Sequence, residues 1–158
     1  MKKLLIILFV IFIAGSASAQ INKGTVLVGA SSNLSFNSVK PDGGDSYSIF
    51  DLGLKGGYFV ADNVTVGLNL GYQKLDDFTF STFGLFGRYY YQGKFFGGAG
   101  FNVIKYENQD SQTSIPFEVG YAAFLNKNIA IEPSLNLSIS DSNNIFGLRV
   151  GFSLYLNR

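Results

Sequence analysis

Three residue types are missing from this chain: its 158 residues include no cysteine, no histidine and no tryptophan. Without cysteine, the fold has to hold together without disulfides. Without histidine, a Ser-His-Asp triad and every histidine-dependent general base are excluded, and a zinc site would need carboxylate ligands alone. We therefore expect a protein that is not an enzyme and that carries no cofactor or metal.

Charge is also sparse. Lysine and arginine together number 12, aspartate and glutamate number 11, and no basic run occurs. A near-neutral chain without a basic patch is a poor candidate for nucleic-acid binding. Glycine (19), phenylalanine (16) and tyrosine (9) are abundant, and no long apolar run follows the first 19 residues. This composition is typical of a membrane-spanning barrel of strands.

Residues 1–19 differ from the rest of the chain. Lys2 and Lys3 precede an apolar run of about 11 residues, which is too short for a bilayer that requires about 20. Ala17 and Ala19 give the small-x-small pattern that signal peptidase accepts. The sequence therefore predicts a secretory signal peptide that is removed after Ala19. The mature chain, residues 20–158, is expected to be one domain.

The stretch from Ile129 to Ile139 alternates between Ile, Leu or Pro and small or polar residues. Successive side chains of a strand point to opposite faces, so a period of two predicts a strand with one apolar and one polar face. Pro133 cannot donate to the ladder, and we expect a bulge there. Similar patterns predict eight strands, at residues 24–36, 47–59, 64–73, 79–91, 95–106, 115–125, 129–139 and 145–157.

The fifth predicted strand is the least regular. Several glycines blur its alternation, and the pattern leaves open whether Asn102 or Lys105 lies on the polar face. The connections alternate between turns of about three residues and polar loops, as short periplasmic turns and longer outer loops do in membrane barrels. Three of the outer loops are candidates for contact with a surface ligand, and they are predicted at residues 37–46, 74–78 and 107–114.

The charges on the polar strand faces help to decide whether the polar or the apolar face lines the inside of the barrel. In a narrow barrel these charges have to pair, because an unpaired buried charge costs several kcal/mol. The set contains three acidic and three basic residues, which suits a lumen filled by ion pairs: Asp51, Lys55, Arg88, Glu118, Glu132 and Arg149. The apolar faces carry almost no charge. Five tyrosines near predicted strand ends fit an aromatic girdle at the lipid headgroups: Tyr58, Tyr72, Tyr89, Tyr91 and Tyr121.

Local sequence adds to this pattern. Gly57-Tyr58-Phe59 precedes a turn, Asn63-Val64-Thr65-Val66-Gly67 leads into the next strand, and Arg88-Tyr89-Tyr90-Tyr91 closes another strand. Residues 20–158 thus resemble the small eight-stranded outer-membrane barrels of Gram-negative bacteria, the group related to the barrel domain of outer membrane protein A and to outer membrane protein X. The resemblance implies an all-β, antiparallel, up-and-down transmembrane barrel in the outer membrane.

The resemblance also implies partners. Outer-membrane lipid and lipopolysaccharide would surround the barrel, and the barrel assembly machinery would insert it. The family's closing strand carries an assembly signal, which Arg149, Gly151, Leu154 and Leu156 fit. The family usually ends on an aromatic residue, whereas Asn157 and Arg158 follow here.

We therefore expect a non-enzymatic outer-membrane barrel with a structural, adhesive or surface-interaction role. Two alternatives stay open at this point. The first is a narrow pore for small solutes, against which a lumen closed by charged side chains argues. The second is a soluble exported barrel that binds an apolar ligand inside, as lipocalins do, and it requires the opposite facing of the strands.

Overall fold

The computed structural model describes residues 20–35, 49–75, 78–106, 109–140 and 144–158. In this part of the chain every regular element is a strand. There are nine: β1 (Val26–Ser35), β2 (Ile49–Ala61), β3 (Val64–Leu75), β4 (Phe78–Tyr91), β5 (Phe95–Tyr106), β6 (Gln109–Tyr121), β7 (Ala123–Phe124), β8 (Ile129–Ser140) and β9 (Asn144–Leu156).

The strands close into a barrel. Strands β1 to β6 pair antiparallel in chain order, β6 and β7 both pair with β8, and β8 pairs with β9, which pairs back onto β1. The two-residue β7 continues the line of β6 along β8. The two together occupy one strand position, so the barrel is eight-stranded. Closure pairs both edges of the sheet. A sheet can cross lipid only when its edge backbone groups are paired in this way. The predicted eight-stranded antiparallel barrel is confirmed.

Pro133 coincides with the one interruption in the ladder between the β6–β7 wall and β8. β6 pairs with β8 as far as Gly120, and β7 resumes the pairing at Ala123 in the same register. Between them, Ala122 donates its backbone N–H to the carbonyl of Lys94 at 2.7 Å. The expected bulge is therefore wrong: the missing proline donor is accommodated by a gap in the ladder and not by an extra residue.

The short connections lie at the same end as residues 20–25 and 157–158, which we call the turn end. Asn63, Gln92 and Gly93 have positive φ angles of 62°, 52° and 65°, the left-handed backbone that Asn and Gly tolerate best and that tight hairpins require. The N-terminal segment is tied to the first of these turns, because Ile21 and Asn63 exchange hydrogen bonds of 3.1 and 2.8 Å.

Two of the predicted outer loops are much shorter in the structure. β3 continues to Leu75 and β4 begins at Phe78, so most of the predicted loop 74–78 is strand. β6 begins at Gln109, which converts most of the predicted loop 107–114 into strand, and the sixth wall extends only to Phe124. The sequence from Gln109 to Ser114 is polar at every position, so it gives no apolar alternation to detect. The predicted loop 37–46 lies outside the described residues.

The strand faces follow the predicted alternation. Large apolar side chains point outward, with Leu54 at 55% and Phe146 at 63% exposure, whereas the opposite positions face a narrow lumen. In β5, Asn102 faces inward and bonds Asn69 at 3.1 Å, while Lys105 is exposed. No helix in the described ranges is long and apolar enough to cross a membrane.

Aromatic side chains fill the lumen at the turn end. Phe59, Tyr90, Phe96, Phe124 and Tyr155, here called the aromatic plug, belong to one apolar cluster that also buries Ile21 and Leu27. Their ring centroids lie 5.0 to 6.3 Å apart in tilted or edge-to-face arrangements, the spacing at which aromatic pairs attract. The plug closes the barrel at this end.

Candidate functional site

Charged and phenolic side chains meet in the lumen beside the aromatic plug. This lumen cluster comprises Lys55, Arg88, Tyr90, Glu118, Glu132 and Tyr155. The strand register creates its centre, because Arg88 on β4 pairs with Gly98 on β5, and Gly98 pairs with Glu118 on β6. A Cβ atom on Gly98 would lie 2.8 Å from Arg88 Cγ and 3.1 Å from Glu118 Oε1. The glycine therefore leaves the space across which Arg88 reaches Glu118.

Arg88 donates to every acceptor of the cluster within its reach. Its Nε and Nη2 bond the two carboxylate oxygens of Glu118, the second at 2.8 Å, in a bidentate pair. Its Nη1 bonds Glu132 Oε2 at 2.8 Å and Tyr90 Oη at 3.0 Å. Arg88 and Glu132 are 5% and 3% exposed. Burial lowers screening by water, so these charge-assisted bonds are stronger than equivalent ones on a surface.

Lys55 supplies the second cation. Its Nζ lies 3.3 and 3.4 Å from the two carboxylate oxygens of Glu118, so this single carboxylate accepts from both cations. Aromatic faces complete the surroundings of both cations: Lys55 Nζ is 4.8 Å from the ring centre of Phe86, and Arg88 Cζ is 4.2 Å from that of Phe96. Such cation–π contacts attract through the ring quadrupole.

The phenols connect the cluster to the plug. Tyr155 donates its hydroxyl to Glu132 Oε1, and its oxygen lies 3.2 Å from the hydroxyl of Tyr90. Because each phenol has one proton, Tyr155 gives its proton to the carboxylate and Tyr90 can donate to the Tyr155 oxygen. Both carboxylates are thus bonded by buried donors, as buried charges require.

The six residues predicted for the lumen are distributed in two layers. Lys55, Arg88, Glu118 and Glu132 meet in the lumen cluster. Arg149 lies further from the turn end, beside a cavity that Arg88 and Glu132 also line. Asp51 lies across Asn33 from Arg149 in the strand register, and its side chain is outside the described part of the structure.

The cavity beside Arg149 is small. Its volume is about 10 Å³, and the rest of its lining consists of Lys55, Ala30, serines and glycines. A space of this size holds about one water molecule. Side chains of the lumen cluster and of the aromatic plug fill the lumen where they lie, as expected for an eight-stranded barrel.

Sequence reasoning missed part of this site. The lumen set predicted from the sequence contains only charged residues, so it omits four inward-facing aromatic residues: Phe59, Tyr90, Phe96 and Tyr155. Tyr90 lies two residues from Arg88 and therefore on the same face, which is the signal that could have found it. Phe59 and Phe96 continue the polar faces of their strands, where an apolar residue gives no contrast in the pattern.

The residues of the predicted assembly signal all lie on β9, the strand that closes the barrel on β1. Arg149 and Gly151 face the lumen, and Leu154 and Leu156 are exposed on the outer face. At the end of β9, Asn157 has a φ of 60°, and Arg158 turns back so that its Cζ lies 3.9 Å from the ring centre of Phe124. Ala17 and Ala19, the predicted cleavage residues, lie outside the described residues.

The chemistry available in the lumen cluster is that of a closed ion-pair network. Its carboxylates are engaged by Arg88, Lys55 and Tyr155, and no group of three or more carboxylates occurs among the described residues that could hold a metal ion. Each acidic group faces a cation or a phenol that belongs to the protein. The arrangement is therefore suited to filling and bracing the barrel.

Comparisons of the fold with solved structures agree with this architecture. The N-terminal β-barrel domain of Pseudomonas aeruginosa OprF superposes with a TM-score of 0.66 at 14% identity, covering 85% of this chain and 98% of that one. A de novo designed transmembrane β-barrel gives 0.59 at 11% identity, with 87% and 99% covered. The Yersinia pestis outer membrane protein Ail, in a phospholipid bilayer nanodisc, gives 0.55 at 15% identity, with 85% and 100% covered.

The comparisons of sequence give no relative. No protein-family model and no curated protein matches the chain. At identities of 11 to 15%, the structural similarity concerns the path of the backbone. The chain has the fold of the small eight-stranded outer-membrane barrels.

Proposed function

We propose that this chain is a non-enzymatic barrel that spans the bacterial outer membrane and acts through its outer surfaces. One observation carries the proposal: large apolar side chains cover the outside, and buried charges fill the inside. In water this arrangement would expose most of the protein's large apolar residues. In lipid the same outer face is solvated by acyl chains, and the charges are removed from the hydrocarbon.

The route to the membrane follows from the same proposal. Residues 1–19 serve as a signal peptide that is removed after Ala19. The barrel assembly machinery then recognises β9 through Arg149, Gly151, Leu154 and Leu156. The position of β9 supports this step, because β9 pairs with β1 to close the barrel.

The filled lumen favours a surface role over transport. A protein whose interior is sealed by the lumen cluster and the aromatic plug can contact other molecules only through its lipid-facing wall and its two ends. A surface ligand would bind at the end opposite the turn end, through residues 37–46, 74–78 and 107–114. The Yersinia pestis barrel Ail is described as the attachment invasion locus protein, which supports a role in attachment. Lipopolysaccharide and outer-membrane lipid surround the wall.

A heat-modifiability gel on fractionated cells tests the proposal. Closed barrels in lipid resist cold SDS because their backbone groups are paired, so we expect a band in the outer-membrane fraction that migrates differently before and after boiling. A single band in the periplasmic fraction, unaffected by boiling, would contradict the proposal and favour the lipocalin-like alternative. Planar-bilayer recording tests the narrow pore separately, and we expect no steady single-channel current.

A further inference from the structure

The sequence at the turn end differs in charge from the sequence at and beyond the opposite strand ends. Four basic residues belong to the turn end: Lys23 precedes β1, Lys94 lies between β4 and β5, Lys127 lies between β7 and β8, and Arg158 follows β9. They are distributed around the ring of strands, and we call them the cationic rim. The sequence at and beyond the opposite strand ends is mainly acidic, with Asp42, Asp45, Asp76, Asp77, Glu107, Asp110 and Asp141 against Lys40, Lys74 and Lys105.

The acidic residue among the described turn-end residues is Asp62, and it already has donors. Its Oδ1 accepts the backbone N–H of Lys23 at 2.8 Å, and its Oδ2 accepts from Gln20 Nε2 at 3.1 Å. These bonds hold the N-terminal segment against the turn between β2 and β3. Asp62 therefore serves the local backbone, while Lys23 and Lys127 are exposed. The rim keeps a positive field at this end.

An aromatic belt lies directly next to the rim on the outer wall. Tyr58, Tyr89, Tyr91 and Phe95 are 49 to 58% exposed within a few residues of the turns, and Phe95 contacts Tyr121 edge-to-face at a ring distance of 4.9 Å. Exposed aromatic rings of this kind lie at the level of lipid headgroups. The belt therefore places the rim in the headgroup layer rather than in bulk water.

From this juxtaposition we infer that the cationic rim binds the headgroups of anionic phospholipids in the leaflet at the turn end. The inference rests on the proposed insertion of the barrel into a membrane. Lys23, Lys94 and Lys127 contact lipid phosphates from different sides of the barrel, while the tyrosine hydroxyls bond at the same depth. Each lysine or arginine close to an anionic lipid surface changes binding by about fivefold.

Native mass spectrometry of the protein purified from membranes in detergent tests the inference. The protein is incubated with equal amounts of phosphatidylglycerol and phosphatidylcholine that carry the same acyl chains. We expect phosphatidylglycerol to be retained at least about fivefold over phosphatidylcholine. The variant K23Q/K94Q/K127Q should lose this preference, and K23R/K94R/K127R should keep it.

The chain offers a control with the same change in charge. K40Q/K74Q/K105Q removes three lysines from the sequence at and beyond the opposite strand ends and should retain the phosphatidylglycerol preference of the parent. An absent preference, an equal loss in both glutamine variants, or displacement of the lipid by the same concentration of inorganic phosphate would overturn the inference. A cold-SDS gel shift of each variant reports folding independently, so a folded barrel without lipid preference leaves the proposed function standing.

Discussion

Glu118 is the residue whose loss should most disturb the barrel. Its carboxylate receives the bidentate pair from Arg88 and both contacts from Lys55. Glu118→Gln has nearly the same shape but removes the charge and turns one acceptor into an NH₂ donor. That donor then faces N–H groups of Arg88 or Lys55, and two buried cations share the single charge of Glu132 within the lumen cluster.

The expected cost follows from the burial of the pair. Removing one partner of a buried ion pair costs about 3–5 kcal/mol, because the remaining charge is left uncompensated. With a urea dependence of about 2 kcal/mol per molar, the midpoint of unfolding should fall by roughly 2 M. Asp62→Asn is the matched control, since it removes one carboxylate charge from the exposed turn and should cost less than about 1 kcal/mol.

The assay is equilibrium unfolding of the purified barrel in detergent micelles, with the folded fraction read from unboiled gel bands across a urea series. A Glu118→Gln midpoint indistinguishable from that of the parent would refute the assignment of Glu118 to the centre of the cluster. The double variant Lys55→Met/Glu118→Gln tests whether the uncompensated charge causes this cost. It leaves Arg88 paired with Glu132 and removes one charge of each sign, so it should be closer to the parent than Glu118→Gln is.

Three further predictions use the same assay. Gly98→Ala should lower the free energy of unfolding by about 1–3 kcal/mol, because the new Cβ would lie 2.8 Å from Arg88 Cγ and from a backbone carbonyl oxygen. At Gly97 the new Cβ would face open space, so Gly97→Ala should have little effect. Tyr155→Phe should cost about 1–3 kcal/mol by removing the buried donor to Glu132, and the same change at exposed Tyr89 should have little effect. Arg158→Gln should lower the free energy of unfolding by about 1 kcal/mol, since it removes the stacking on Phe124. Wild-type stability in this variant would show that the contact does not stabilise the barrel.

The strand walls were predictable because lipid and lumen impose opposite polarity on alternate residues. Leu52 and Leu54 against Lys55, or Phe117 and Val119 against Glu118, show the alternation directly in the sequence. The same physics explains the failures. Gln109 to Ser114 has no apolar face to reveal a strand, yet it pairs with β5 because the end of β5 offers hydrogen-bond partners to its backbone.

The pairing within the lumen was predictable in kind but not in detail. Sequence alternation places Arg88 and Glu118 on inward faces, but which strands adjoin, and in which register, decides that they meet across Gly98. Phe59 and Phe96 were missed for a related reason. The inward face changes from polar to aromatic near the turn end, and a pattern that contrasts polar with apolar faces cannot detect an apolar lumen residue.

A buried ion-pair network contributes little net stability compared with well-packed apolar residues. We therefore expect the main effect of the lumen cluster to be on the register in which the strands pair. If a strand slips by one residue, its whole lumen face moves to the lipid face. For β4 such a slip would turn Arg88 to the lipid face, which costs only about 0–1 kcal/mol at its depth near the aromatic belt. The larger penalty is that Glu118 and Glu132 would lose their bonds to Arg88 and remain as buried carboxylates without that cation. The outward residues of β4, such as Leu85 and Tyr89, would meanwhile enter a lumen with no space for them. The lumen cluster therefore penalises wrong registers of β4, β6 and β8 more than it stabilises the right one.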